Sequence, residues 1–258
     1  MLPIKEGYTQ HITLIDPDKQ SPEVAAQRAL IAVECGTSAI FVGGSTDTGS
    51  NIVDATCGAI QEALELAMFA SSQRPDADEE MWNIPVILFP GGAHAMSAKA
   101  DGILFMMLMN SKSRQFLIGE QLKGAPYISK AGLQTIPTGY IVCAPGGAVG
   151  EVGQAELIKS EDTELVAAYC QTAGMYGFST VYLEAGSGAS SPVNLDLIRT
   201  AKASMDCTLL VGGGIRSPEQ MKAAADAGAD YIVTGTITEE FDDLQRLKER
   251  LESLINVL

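Results

Sequence analysis

The stretch Tyr182-Leu183-Glu184-Ala185-Gly186-Ser187-Gly188 reads as a buried strand that ends on a carboxylate beside a flexible, polar, phosphate-sized loop. Val181, Tyr182 and Leu183 supply the apolar lead-in, while Gly186 and Gly188 let the backbone turn and bring N–H groups close to an anion. Glu184 sits where such a strand opens onto a site, and as a lone carboxylate it suits a base, a metal ligand or a hydrogen-bond acceptor. Two more glycine-bearing strand ends follow, Val211-Gly212-Gly213-Gly214-Ile215 and Val233-Thr234-Gly235-Thr236. One such end is an ordinary tight turn; three in order favour a phosphate cradle.

Outward from that stretch, short apolar strands alternate with helical runs along the whole chain. Strands are expected at His11–Ile15, Ala39–Val42, Pro85–Phe89, Gly102–Met109, Thr138–Cys143 and Thr180–Leu183, with two more at the later glycine-bearing ends. Ser21-Pro22-Glu23 opens a helix with a cap, a proline at its first position and an early acid, and Gly36 stops it. Further helices are expected over residues 51–70, 114–123, 162–174 and 239–255. Eight βα units with no linker, in 258 residues, predict a single domain over 1–258: an α/β fold, the (β/α)8 TIM barrel, with a doubly wound open sheet as the rival. Only residues 91–101 separate the third strand from the fourth, so the third helix is expected to be short or missing and the wall open there.

In a barrel, polar residues just past each strand converge on one basin. They are Asp16 and Asp18, Ser45 and Thr46, His94, Asn110 and Ser111, Glu184 and Ser187, then Gly213, Gly214, Gly235 and Thr236. The last two strand ends are the common phosphate position, and Arg216-Ser217-Pro218-Glu219 starts a capped helix beside them. Asp16-Pro17-Asp18 alone is a turn; near Ser45 it suits Mg2+, which keeps several waters and takes one or two carboxylates plus substrate phosphates. Of the two histidines, His11 at a strand start reads as structural and His94 as a candidate for the mouth. Phe105-Met106-Met107-Leu108-Met109 reads as core, one face of which suits a long hydrocarbon.

Composition narrows the partners. A net charge of −15 argues against nucleic acid and against broad adhesion to anionic lipid, so any bound phosphate needs local backbone amides, a few cations or a metal. Hydrophobic residues at 46% suffice for a sizeable core. Cys35, Cys57, Cys143, Cys170 and Cys207 are dispersed without a CxxC and read as reduced core thiols. No basic-then-apolar leader is seen in residues 1–8 and no run approaches the ~20 residues of a membrane span, so a soluble cytoplasmic protein is expected.

Residues 11–19 (HITLIDPDK), Val42-Gly43-Gly44-Ser45, Leu88-Phe89-Pro90-Gly91, Met109-Asn110-Ser111, residues 182–188, residues 211–216 and Gly228-Ala229-Asp230 occur in an order that resembles the geranylgeranylglyceryl phosphate synthases. The resemblance covers about residues 9–240. It implies a modified barrel without a regular third helix, and prenyl transfer from geranylgeranyl diphosphate to sn-glycerol 1-phosphate with release of diphosphate, in archaeal ether-lipid biosynthesis. By position, Asp16 and Ser45 correspond to a Mg2+ site, and Tyr182, Leu183, Glu184, Ala185, Gly186, Ser187, Gly188, Gly213, Gly214, Gly235 and Thr236 to the glycerol-phosphate site. Many members carry Asn where this chain has Thr236. Glu184 is the candidate to accept the hydroxyl proton, with the tail in an apolar trough near residues 93–100, Phe105 and Met107. The resemblance also implies a homo-oligomer, dimer or hexamer, with at most transient membrane contact. A heptaprenylglyceryl phosphate synthase with a longer donor, an FMN- or phosphate-binding barrel enzyme, and a silent binding protein are the competing readings.

Overall fold

Strands buried on both faces read as continuous apolar runs, and here each of them alternates one side chain into a barrel and the next towards covering helices. In the computed structural model, which describes residues 2, 7–44 and 48–258, the strands are β1 (Gln10–Ile15), β2 (Ala39–Gly43), β3 (Val86–Phe89) and β4 (Gly102–Leu108), followed by β5 (Gln134–Val142), β6 (Thr180–Glu184), β7 (Thr208–Gly212) and β8 (Tyr231–Thr234). All pair in parallel in chain order, and β8 returns to β1, closing a (β/α)8 barrel. Ile12, Phe41, Leu104, Tyr140, Tyr182 and Leu210 fill the interior. Their strand neighbours Ile40, Ile103, Ile141, Leu183 and Val211 pack outwards against the helices.

Those helices are α1 (Pro22–Glu34), α2 (Ser50–Ser72), α3 (Glu120–Ala131), α4 (Gly147–Val152), α5 (Thr163–Met175), α6 (Leu195–Ala203), α7 (Pro218–Asp226) and α8 (Leu244–Ile255). α1 starts as expected, with the Ser21 side chain accepting from the Val24 N–H and Pro22 at the first position. Between β3 and β4 there is no helix. The strands meet there at only two pairs, Ile87 with Gly102 and Leu88 with Ile103, and Asp101 Oδ2 adds a bond from the Val86 N–H at 2.7 Å. The connecting strap is held instead by α2: Ser97 donates to Asp54 at 2.7 Å and Lys99 reaches the other oxygen of Asp54 at 2.8 Å.

Three boundaries differ from expectation. β5 begins at Gln134, not Thr138, because its pairing with β4 runs from Gly102 onwards and extends past the start of β6. The helix after β4 opens with a π turn (Gln115–Gly119) before α3. α8 starts at Leu244, where Asp243 accepts from two backbone N–H groups; the earlier residues Thr236–Glu239 form a separate 3-10 turn. The five cysteines are unpaired, four of them buried, and burial pushes the Cys57, Cys143 and Cys170 thiols up to about 12. Among the described residues no helix is long and apolar enough to cross a membrane.

Candidate active site

At the carboxyl ends of the strands lies a polar basin, and its centre is Glu184. The side chain closes β6 and is almost wholly buried. Its Oε1 accepts the Gly186 N–H at 2.6 Å, and the hydroxyls of Tyr182 and Tyr140 donate to the same carboxyl. The two tyrosine rings meet edge to face at 5.2 Å, and both lean on Phe89. Burial raises the Glu184 pKa above the ordinary carboxylate range, and its three donors oppose that rise without cancelling it. Burial and the neighbouring Glu184 hold both phenols well above their usual range, so they remain donors. A carboxyl in this setting holds a proton more readily than an ordinary carboxylate does, as a proton acceptor requires.

The loop of β7 is moulded onto this group. Gly213 has φ +80°, and a Cβ there would lie 2.3 Å from Glu184 Oε1 and 2.6 Å from the Gly186 nitrogen. Arg216 reaches back from the same loop, its Nη2 donating to the Gly188 carbonyl at 3.2 Å. Ser187, Gly188, Gly213, Gly214, Gly235 and Thr236 all line the basin. The expected start of α7 follows directly on this loop, with Ile215 and Arg216 lining the basin. Ser217 and Gln220 cap it reciprocally, Gln220 also takes the Arg216 N–H, and neither Ser217 nor Pro218 lines the basin. The 3-10 turn at Thr236, which has no side-chain cap, occupies the position of the short extra helix that often binds phosphate in barrels.

Across the basin stands Asp16, half-buried after β1. Its Oδ1 accepts the Asp18 N–H at 3.0 Å, and Gly44 passes so close that a Cβ there would lie 2.5 Å from Oδ2. Burial raises its pKa, against the pull of the Asp18 N–H and Lys19. Burial also raises Glu239 on the 3-10 turn, and the charge of Asp16 adds to that rise. Among the described lining residues, Asp16, Glu184, Glu239 and Glu240 face only two cations, Lys19 and Arg216. To a phosphorylated ligand such a basin offers backbone donors and the two cations Lys19 and Arg216. Asp16 and Glu239 are hard oxygen donors of the kind Mg2+ takes, although among the described residues no group of three or more His, Cys, Asp or Glu is placed to hold a metal ion. Ser45 and Thr46 lie outside the described residues.

A second, apolar cavity, about 850 Å³ of space that is partly open to solvent, lies where the third helix is absent. Ala93 and Met96 of the strap, Phe105 and Met106 of β4, and Phe116 and Ile128 line it. Met107, expected there, is not among its lining residues; Met106 is. The two cavities share Gly44, Phe89, Tyr140 and Val149.

Other residues expected at the basin lie elsewhere. Leu183 and Ala185 are buried in the outer core, and Gly186 serves Glu184. Asn110 is a structural clamp: its amide donates to the Val142 and Glu156 carbonyls and its oxygen accepts the Val142 N–H. Ser111 donates to the Gly153 carbonyl at 2.6 Å. Asp18 and His94 are exposed and line neither cavity. His11 is structural as read, buried between Thr37 and Thr234, with its pKa lowered by burial to about 3. Tyr140 and Glu239 were not singled out from sequence, and Lys19 and Arg216 were quoted only within motifs, not as cations of the basin. Tyr140 had a signal, since it shares its inward parity with Ile136 and Val142 near the apolar end of β5.

Residues 4–254 match the model of the PcrB family. A geranylgeranylglyceryl phosphate synthase of Methanococcoides burtonii is 44% identical over 252 residues, covering 97% of this chain and 94% of that protein. The structure of the wild-type synthase of Thermoplasma volcanium superposes with a TM-score of 0.86 at 40% identity, over 96% of this chain and 92% of that one. That of the Thermoplasma acidophilum synthase, solved with the substrate sn-glycerol-1-phosphate, has a TM-score of 0.86 at 38% identity, over 97% and 93%.

Proposed function

The chain belongs to the PcrB family and, within it, to the geranylgeranylglyceryl phosphate synthases, and from that premise we propose that it transfers a geranylgeranyl group to sn-glycerol 1-phosphate at the basin around Glu184. The observation that carries this reading is the junction of the two cavities. A polar basin and an apolar trough meet at Gly44, Phe89, Tyr140 and Val149. An allylic diphosphate has the same two halves, a charged head and a long hydrocarbon tail. With its tail in the trough, its reacting carbon lies at the shared wall.

Glycerol 1-phosphate then sits with its phosphate against Gly188, Gly213, Gly214, Gly235 and Thr236, where Arg216 supplies a cation. Its free hydroxyl faces Glu184. The hydroxyl oxygen forms a bond to the first prenyl carbon as the bond from that carbon to the diphosphate oxygen breaks. The diphosphate leaves with the electron pair, and the hydroxyl proton passes to the Glu184 carboxylate. Tyr140, Tyr182 and Gly186 fix that carboxylate in one orientation. Holding both reactants by ends remote from the bond being made is worth up to ~7–11 kcal/mol of the barrel's advantage over free reactants. Asp16, with Glu239 facing it and Ser45 following Gly44 in the sequence, would hold Mg2+, which when bound neutralises the diphosphate and eases its departure. Lys19 lines the same side and adds a fixed positive charge.

The test is a transfer assay on the purified protein with labelled C20 and C35 diphosphates, both enantiomers of glycerol phosphate, and Mg2+ or a chelator. The expected product forms from the C20 donor and the 1-phosphate, and only with the divalent ion. Transfer chiefly from the C35 donor points to the longer-chain enzyme. No transfer with either donor or enantiomer overturns the reading.

A further inference from the structure

α1 carries a buried cation that no step above uses. Arg28 sits among Ala25, Ala29 and Ala32 on the inward face of α1 and is only 5% exposed, an unusual position for arginine. Its Nη1 donates to Gln20 Oε1 at 2.8 Å, and Gln20 in turn donates from Nε2 to the Asp16 carbonyl at 3.0 Å. Its Nη2 donates to the Phe241 carbonyl at 3.1 Å, two residues beyond the turn that carries Thr236 and Glu239. The exposed Asp242 carboxylate lies 3.9 Å from the same nitrogen, and Nε is buried without a partner.

We propose that Arg28 is a positioning residue that sets the distance between the Asp16 loop and the Thr236–Glu240 loop, and so holds the divalent-ion side and the phosphate side of the basin in register. This rests on the function proposed above. The geometry favours arginine for the task, because one planar fork serves two acceptors on loops more than two hundred residues apart in sequence. A lysine keeps the charge but presents a single ammonium that cannot reproduce the fork.

The variants are Arg28→Lys and Gln20→Ala, the second breaking one arm while leaving Arg28 in place. Steady-state transfer is measured at varied glycerol 1-phosphate and varied Mg2+. Thermal shifts induced by glycerol 1-phosphate or by Mg2+ alone are recorded in parallel, so ligand binding is read even where turnover is absent. Expected for Arg28→Lys are about tenfold rises in KM for glycerol 1-phosphate and in the half-saturating Mg2+ concentration, with kcat within threefold. Its ligand-induced thermal shifts shrink, and Gln20→Ala shows a weaker form of the Mg2+ effect. Unchanged KM, Mg2+ requirement and ligand shifts in both variants overturn the inference, even if the unliganded proteins melt earlier. Failure of the wild type to transfer while it still shows these ligand shifts overturns the proposed reaction, and the shifts in the variants still decide the role of Arg28.

Discussion

Between β3 and β4 the barrel is joined by two residue pairs and no helix, whereas β6, β7 and β8 pair with their neighbours and each is followed by a helix or helical turn. The first region is lined with Met96, Phe105, Met106 and Ile128; the second with glycines, Ser187, Thr236 and charged groups. Omitting one helix exposes apolar strand and strap surface that a hydrocarbon can cover. Keeping the other units intact packs the glycine loops closely against one another, as at Gly213 and Gly214, and recognition of a phosphate by amides depends on such placement. One side of the barrel therefore tolerates adjustment and the other does not.

Glu184→Gln tests the rigid side most severely. Turnover is expected to fall by about 10²–10⁴-fold, while glycerol phosphate binding weakens far less, because only the proton acceptor is lost. Single-turnover rates set against ligand affinity decide it, and equal turnover would remove Glu184 from the role. The pH profile sharpens the point. Because burial raises the Glu184 pKa, the rate is expected to fall on the acid side at a higher pH than an ordinary carboxylate would give. Stability runs the opposite way: the folded chain holds this proton more tightly than the unfolded one, so its contribution to stability declines as pH rises from the ordinary carboxylate range through the raised value. The glutamine variant should lose both dependences.

The same small change made on each side breaks or supports the contrast directly. At Gly213, alanine puts a methyl against Glu184 Oε1 and the Gly186 nitrogen on a left-handed backbone. The backbone alone costs about 1–2 kcal/mol, and glycerol phosphate affinity, read by titration calorimetry, is expected to drop at least ~10-fold as the loop shifts. Next in size is Ser97→Ala in the strap. It removes the buried hydroxyl that donates to Asp54 and accepts the Lys99 N–H, for about 1–2 kcal/mol in chemical denaturation. A weaker hold on the prenyl donor should accompany it, with glycerol phosphate unaffected. Smallest is Gly124→Ala in the trough. Its methyl meets the flexible end of Met96, which can swing aside, so stability should change by less than ~1 kcal/mol. A large loss at Gly124 or none at Gly213 would erase the distinction between the two sides.

Much of the rigid side was legible because it is local. The strand end at residues 180–184, the glycine loops after β6 and β7, and Asp16 after β1 carry their signals within a few neighbouring residues. The missing helix was legible too, since residues 91–101 are too few to hold one with its loops. Around the end of β4 the reading slipped: Met106, not Met107, lines the trough beside Phe105, and Asn110 and Ser111 turn to backbone carbonyls rather than to the basin. α4 escaped notice because Gly146, Gly147 and Gly150 mask its helical pattern. The self-capping of α7 was half visible in Ser217, but what it implied, a helix end already satisfied, was not.

By itself the sequence determined the order of elements, the closed eightfold barrel and the polar rim, because alternation, caps and turn residues act over a few positions. Only tertiary structure decided what surrounds Glu184, which draws on Tyr140 from the neighbouring strand, and what ties Asp16 to the last βα loop, which is Arg28. It also decided that basin and trough share a wall. Those relations depend on barrel closure, which brings together residues whose separation along the chain carries no trace of their contact.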